Sequence, residues 1–486
     1  MQESNNLEKL AKLLKNKKLI VALQRPSYSY NKVYNGKIKY EKSAGGVHLL
    51  FDALLKKTGG TMIARSSGNA DKLIVDKENS IKVPPKEGKY KLKLIFLKKK
   101  EVENFYYGFA NQTLWPLCHN VFVKPIFHQS WWNTYLQVTQ KFAQSILEEI
   151  KEKNDFKNTV IWVNDYHLAL LPKFLKEKNK ELKVGVFWHI PWPTYEIFRI
   201  CPWRKELLEG LLFSDFVAFH RSYHVANFIQ CATRDLGVIT NSEPTQIIFK
   251  DLKTKIGNLP AGIDYEEIKS QMRKKVSKKI IKKDFGFDYK KLIISVDRID
   301  YTKGIIERLN IIDFFFQKYP QYIEEVTFLM IGAPSRTHIP AYKKISHEIN
   351  DLVEKINWRY STSNWQPIHF INQTIDRKKI ISYYQLADIC FVSPLDDGMN
   401  LVAKEYVIAC NHKNGMLVLS QFAGAAKDLS EAILINPYEL EKSADALNYT
   451  LNMPSSEKLK RNKIMKSKVK ENDIFKWAYE FLNNLV

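Results

Sequence analysis

Cysteine is scarce in this chain, 5 among 486 residues, and Cys118, Cys201, Cys231, Cys390 and Cys410 are scattered. No two have Cys-x-x-Cys spacing, which argues against a disulfide framework and a thiolate zinc site and leaves reduced core thiols. Long apolar runs are also missing: none approaches the roughly 20 residues a membrane-spanning helix requires. The first residues set Leu7, Leu10 and Leu14 at helical spacing among Glu8, Lys9, Lys12 and Lys15, an amphipathic helix rather than a signal peptide. A cytoplasmic protein with no membrane partner is expected. Low-complexity tracts and fixed-period repeats are absent too. So are the Gly-x-x-x-x-Gly-Lys-Ser/Thr loop of P-loop nucleotide hydrolases and the Gly-x-Ser-x-Gly elbow of serine hydrolases. No Asp-x-Asp pair stands in a divalent-metal context, so no metal site is expected.

Acidic residues are in deficit: 52 Asp and Glu against 75 Lys and Arg give a net charge of +23. Such a balance suits nucleic acid, anionic lipid or anionic small substrates. The lysines fall largely in segments that read as amphipathic helices, such as Arg273-Lys274-Lys275 through Lys282-Lys283, and so on a solvated face. No nucleic-acid module accompanies them, and no nucleic-acid partner is expected.

What is present is an α/β pattern. Hydrophobic residues at 45% and aromatics at 13% fill well-packed cores, and two domains are the default for this length. Apolar, β-branched runs alternate with longer amphipathic segments, as in doubly wound parallel sheets. The clearest strands are Leu19 to Leu23, Val160 to Val163, Val184 to Trp188, Phe216 to Phe219, Leu292 to Val296, Val326 to Ile331 and Ile389 to Val392. The turn-rich segment Gly257 to Asp264 reads as the junction, giving domains over residues 1–258 and 259–467. The last helix, Ile474 to Leu485, carries Trp477, Ala478, Phe481 and Leu482 as an apolar face.

Ligands of open parallel sheets bind beyond the carboxyl ends of the strands. The residues there are polar: Arg25, Asp165, His189, Arg298, Lys303, Arg336 and Asp397. Together they would line one interdomain cleft, and its arginines and lysine suit a phosphate-bearing substrate. Arg298 and Lys303, five apart across a turn, suit a diphosphate leaving group as its charge develops. The plain alternative for each cation is a surface ion pair; for Arg298 it is an internal pair with Asp297 or Asp300. Asp165 and His189 end buried strands and must find partners or face the cleft, where they suit hydroxyl recognition or proton handling. In Asp396-Asp397-Gly398-Met399-Asn400-Leu401-Val402-Ala403-Lys404-Glu405 a strand gives way to a turn and a helix. Such a junction aims backbone amides and a positive helix end at an anion, with Asp397 and Glu405 able to accept from sugar hydroxyls. An ordinary strand-to-helix turn is the other reading.

The strings Trp162-Val163-Asn164-Asp165-Tyr166-His167-Leu168, His189-Ile190-Pro191-Trp192-Pro193, Val296-Asp297-Arg298-Ile299-Asp300-Tyr301-Thr302-Lys303-Gly304, Ala333-Pro334-Ser335-Arg336, Asp397 to Tyr406 and Phe422-Ala423-Gly424-Ala425-Ala426 closely resemble the trehalose-6-phosphate synthase family, glycosyltransferase family 20. They follow family order and spacing over nearly the whole chain. The resemblance implies a GT-B fold: two Rossmann-like domains, an active site between them, and a C-terminal helix (about 468–486) crossing back to the first. It implies retaining, metal-independent glucosyl transfer from a nucleotide-glucose co-substrate (UDP-, GDP- or ADP-glucose) to glucose 6-phosphate, with no further cofactor.

By matching positions, Gly45 and Gly46 form a loop over the donor. Arg298 and Lys303 stabilise the departing diphosphate, Asp397 holds donor sugar hydroxyls, and Gly398 is a further donor-binding position. The amides of Met399, Asn400, Leu401 and Val402 meet the diphosphate, and Glu405 the ribose. Asp165 and His189 contact the sugars at the reacting centre. Arg25, Tyr106, Trp115, Asp165 and Arg336 make the acceptor site. Small molecules are the expected partners, a separate phosphatase is expected downstream, and a homo-oligomer is left open.

Three departures stand out. Leu23-Gln24-Arg25 replaces the family's Ser-Asn-Arg, and Asp396 stands where Arg usually precedes Asp-Gly-Met-Asn. Met62-Ile63-Ala64-Arg65-Ser66-Ser67-Gly68 replaces an aromatic-rich loop and removes an acceptor-site tryptophan. A glucosylglycerol-phosphate synthase-like transferase using glycerol 3-phosphate or another phosphorylated acceptor is therefore a rival. A non-catalytic, regulatory relative is a second, opposed by the retention of Arg298, Lys303, Asp397 and Glu405.

Overall fold

The computed structural model describes residues 2–43, 46–151, 155–240, 245–411 and 414–486. They form two compact units, Met1–Gly262 with Ile474–Val486, and Ile263–Asp473. The first unit holds β1 (Lys18–Leu23), β2 (Tyr28–Lys32), β3 (Ile38–Lys42), β4 (Thr61–Arg65), β5 (Ser80–Val83), β6 (Tyr90–Ile95), β7 (Thr159–Asn164), β8 (Lys183–Trp188), β9 (Phe216–Phe219), β10 (Ile239–Thr240), β11 (Gln246–Phe249) and β12 (Leu252–Asn258). Apart from the β2–β3 hairpin they make one sheet in the order β10-β11-β12-β9-β8-β7-β1-β4-β6-β5. From β12 to β6 every pairing is parallel. Both faces of such a sheet are covered by helices, so its strands must be apolar throughout. β4, β7 and β9 are accordingly buried at every residue.

The second unit holds β13 (Lys291–Arg298), β14 (Val326–Ala333), β15 (Ile368–Ile371), β16 (Ile389–Val392), β17 (Met416–Ser420) and β18 (Ile433–Ile435), all parallel, in the order β15-β14-β13-β16-β17-β18. In each sheet the winding reverses once, between β1 and β7 and between β13 and β16. Those are the topological switch points, where diverging connections leave a crevice beyond the strand ends. Among the described residues no helix is long and apolar enough to cross a membrane, and all five cysteines are buried and form no disulfide.

After the second unit the chain returns to the first through the helix Ile474–Leu485. Phe481 stacks on Trp162 with ring centroids 3.9 Å apart, and Trp477 lies 4.9 Å from both Trp162 and Phe187. Gly185 of β8 allows this approach, because a Cβ there would stand 2.9 Å from Phe481 and Leu485.

The two units divide at 262/263, within the turn-rich segment Gly257 to Asp264, and Gly257 and Asn258 still belong to β12. Two expectations are corrected. Arg273-Lys274-Lys275 is not helical: the Gln385 amide accepts from Arg273 N at 3.1 Å and donates to Arg273 O at 2.9 Å, taking the backbone groups a helix would use. Met62 to Arg65 is not loop but the buried interior and end of β4, which leaves only Ser66 to Gly68 as the turn.

Candidate active site

At the β13/β16 switch point Lys303 Nζ donates to Asp397 Oδ2 at 2.6 Å. Gly304, at φ +59°, holds the turn that carries Lys303; a Cβ there would lie 2.1 Å from Ser393 O, so only glycine fits. Ser393 Oγ bonds Gly304 O at 3.1 Å, and Leu395 N bonds Thr302 O at 2.9 Å, bolting this turn to the segment after β16. The Asp397-Gly398-Met399 turn is clamped in its own way: Gly424 N donates to Asp397 O at 2.8 Å and Ala425 N to Met399 O at 2.6 Å. A Cβ on Gly424 would meet Gly398 O at 2.0 Å. That contact is the structural reason for the Phe422 to Ala426 string.

Asn400, at φ +78°, caps the helix Leu401–Ala409, its Oδ1 accepting from Ala403 N at 3.0 Å. Asn400 Nδ2 donates to Asp397 Oδ2 at 3.1 Å, and Met399 N to Asp397 Oδ1 at 3.4 Å. The amides of Leu401 and Val402 have no intrahelical partner and point out of the positive helix end beside Lys303 and Asp397. The arrangement can take a diphosphate by backbone and ammonium, and sugar hydroxyls by carboxylate.

Arg298 is the last residue of β13 rather than one beyond it. Its guanidinium donates to Ser335 Oγ at 3.0 Å and lies 3.4 Å from Asp300. Arg336, at φ +50°, meets Asp300 Oδ2 at 3.2 Å and donates to the Tyr342 hydroxyl. The internal pairing with Asp300 is therefore real and is shared by both arginines. Burial pushes the Asp300 carboxyl up, but Arg298, Arg336 and Lys303 together outweigh it and hold it below the ordinary range. Asp297 belongs instead to the buried Arg308, at 2.7 Å. Glu405 accepts from Arg377 at 2.7 Å, and Arg377 also reaches Glu267 at 3.2 Å.

In the first unit Asp165 follows β7 with φ 70° and ψ 171°, a region all but glycine avoid and which costs on the order of 1–3 kcal/mol. Its Oδ1 accepts from His189 N at 2.9 Å, and its own amide donates to Phe187 O at 2.8 Å. These two bonds turn the carboxylate toward the end of β8. The Ala261 amide donates to His220 Nδ1 at 3.3 Å, which leaves His220 Nε2 as the donor to His189 Nδ1, also 3.3 Å away. His189 then carries its proton on Nε2 and donates to Asn164 Oδ1 at 2.8 Å. Burial first, and His48 nearby second, lower His189 to about 3. His189 is thus a neutral imidazole of fixed tautomer, which presents dipoles and does not gain a proton at neutral pH.

Arg25 is exposed, and its guanidinium lies 5.2 Å from the Tyr106 ring centre. Tyr106 sits in the π-helix Glu103–Leu114 and stacks on His167 at 5.9 Å. Asn111 and Gln112 side chains donate to the carbonyls of Tyr106 and Tyr107, at 2.7 and 2.9 Å, bracing the widened turns. Trp115 is buried against His119 and Tyr166. Gly46 opens the helix Gly46–Thr58, while Gly45 lies outside the described residues.

Sequence reasoning missed His220, Arg65 and Arg377. His220 directly follows β9 and Arg65 ends β4, so the strand-end rule reaches both once every strand is inspected. Arg377 has no local signal. Among the described residues no three of His, Cys, Asp and Glu gather as metal ligands would.

The family model for glycosyltransferase family 20 matches residues 16–486. The alpha,alpha-trehalose-phosphate synthase [UDP-forming] A of Dictyostelium discoideum is 33% identical over 96% of this chain, which spans 62% of that protein's length. Two solved structures are similar. One is described as trehalose-6-phosphate from E. coli bound with UDP-2-fluoro glucose (30% identity, TM-score 0.85, 96% of this chain and 98% of that one). The other is an alpha,alpha-trehalose-phosphate synthase (UDP-forming) from Burkholderia xenovorans in complex with glucose-6-phosphate (28% identity, TM-score 0.84, 96% and 100%).

Proposed function

The chain belongs to glycosyltransferase family 20 and is a glycosyltransferase of GT-B fold, and we propose that it transfers glucose from UDP-glucose to glucose 6-phosphate with retention, giving alpha,alpha-trehalose 6-phosphate. The observation that carries this reading is the β13/β16 switch point, where the Lys303–Asp397 pair lies beside the N-terminus of the Asn400-capped helix Leu401–Ala409. In this reading the acceptor hydroxyl attacks the anomeric carbon as the bond to the diphosphate breaks, and its proton passes to the departing diphosphate oxygen. Arg298 and Lys303 stabilise the charge that develops there. Asp397 and Gly398 hold the sugar, and Glu405, oriented by Arg377, the ribose. Asp165 and the neutral His189 meet sugar hydroxyls, while Arg25, Tyr106, Trp115 and Arg336 receive the acceptor. Arg336 must then share itself between Asp300 and the ligand.

The uridine nucleotide is favoured by the ligand and reaction named for the similar proteins, and glucose 6-phosphate by the Burkholderia complex. We further read the reaction as metal-independent, the protein as cytoplasmic, and the phosphate of the product as removed by another enzyme. UDP-, GDP- and ADP-glucose should be crossed with glucose 6-phosphate and glycerol 3-phosphate while nucleotide diphosphate release is followed. UDP-glucose with glucose 6-phosphate is expected to turn over fastest. Turnover with glycerol 3-phosphate alone would overturn the acceptor.

A further inference from the structure

Arg65 ends β4, beside β1 in the sheet, with Ala64 paired to Leu23. It is only 8% exposed, and its guanidinium lies 5.7 Å from the Tyr106 ring centre, the same ring that Arg25 faces from 5.2 Å. Nη1 donates to Ser66 O at 2.9 Å, while the buried Nε finds no acceptor. Among the described residues no carboxylate comes within ion-pair distance of either guanidinium. Asp71 is the nearby acid. Its Oδ1 is taken by Tyr30 N (2.7 Å), and its Oδ2 by Ser66 Oγ, Ser67 N and Gly68 N (2.9, 3.0 and 2.8 Å). Burial, then Arg25, lower Arg65 to about 10, against the opposing pull of Tyr106, Tyr107 and Asp71, so it stays cationic at neutral pH. Two like charges facing one ring, one of them desolvated, are unfavourable alone and favourable around an anion.

We infer that Arg65 is a second guanidinium for the acceptor's anionic group, so that Arg25 and Arg65 grip one phosphate dianion over Tyr106. The inference rests on reading the first unit's strand ends as the acceptor site, and it makes Arg65 a specificity-determining residue. It also gives the Met62 to Gly68 departure a chemical sense: the strand end carries a cation, and charge recognition grows at the expense of ring stacking.

The test is calorimetric binding of inorganic phosphate, glucose 6-phosphate and UDP to the full chain and to Arg65→Met, Arg65→Gln and Arg65→Lys, with melting curves for each. Gln keeps a donor for the Ser66 carbonyl and serves if Met does not fold. Removing the charge should weaken both phosphate ligands about tenfold or more, Lys should restore them to within a few-fold, and UDP affinity should not move. In the parent chain glucose 6-phosphate affinity should fall as the dianion protonates near pH ~6, and that fall should flatten in Arg65→Met or Arg65→Gln. Unchanged phosphate affinity in a folded, uncharged variant overturns the inference even if glucose 6-phosphate remains the acceptor. Loss of inorganic phosphate affinity supports it even if some other phosphorylated acceptor is the one glucosylated.

Discussion

At the strand ends of the first sheet Arg25 and Arg65 face Tyr106 with no carboxylate in ion-pair range among the described residues, whereas around those of the second sheet Lys303, Arg298, Arg336 and Arg377 each meet an Asp or Glu. The first arrangement leaves positive charge for a ligand to neutralise. The second is balanced internally, so the diphosphate proposed there would be held largely by helix-end amides and by cations that exchange one partner for another. The difference extends to the titrating groups. His189 in the first unit is kept neutral by burial, while Asp300 in the second is kept ionised by three cations. On the proposed reading, one region would select its ligand by charge, and the other would position one whose charge grows during reaction.

The largest break in this comparison should come from Arg298→Ala. Loss of one preorganised charge stabiliser should lower kcat by at least about a hundredfold with a smaller change in KM for either substrate. A near-normal rate would remove Arg298 from the leaving group and leave it as a partner of Asp300.

A smaller effect concerns stability. His189 has a folded value near 3, below the roughly 6.5 of an unfolded histidine. The unfolded state therefore binds protons first, so the stabilisation is complete above about 6.5 and is lost as pH falls toward 3. At pH 5 the loss from this one group is on the order of 2 kcal/mol. Urea melts at pH 7 and pH 5 should show a shallower fall for His189→Gln than for the parent. The remaining slope belongs to other histidines held neutral, His48, His224 and His369. Equal slopes would mean that His189 is not held neutral.

Much of this was legible in the sequence because parallel strands announce their own ends. Continuous apolar runs marked β1, β7, β8, β9, β13, β14 and β16, and the polar residue after each run except β9 led to the candidate site. Pairings between distant segments were not legible. Arg377 and Glu405 meet only because the helices Arg377–Tyr384 and Leu401–Ala409 pack together, and nothing near Arg377 in sequence says so. The π-helix around Tyr106 has no period to betray it, since its widened turns depend on Asn111 and Gln112 bonding back to carbonyls. Met62 to Arg65 misled for a simpler reason: it was compared with a loop, although its own residues are those of a buried strand.

The most direct test compares glucose 6-phosphate with glucose as acceptor for UDP-glucose, following UDP release under identical conditions. If the first unit selects by charge, kcat/KM should favour the phosphorylated sugar by about a thousandfold or more, because two guanidinium groups would otherwise lack their anion. Comparable kcat/KM for glucose would contradict the account.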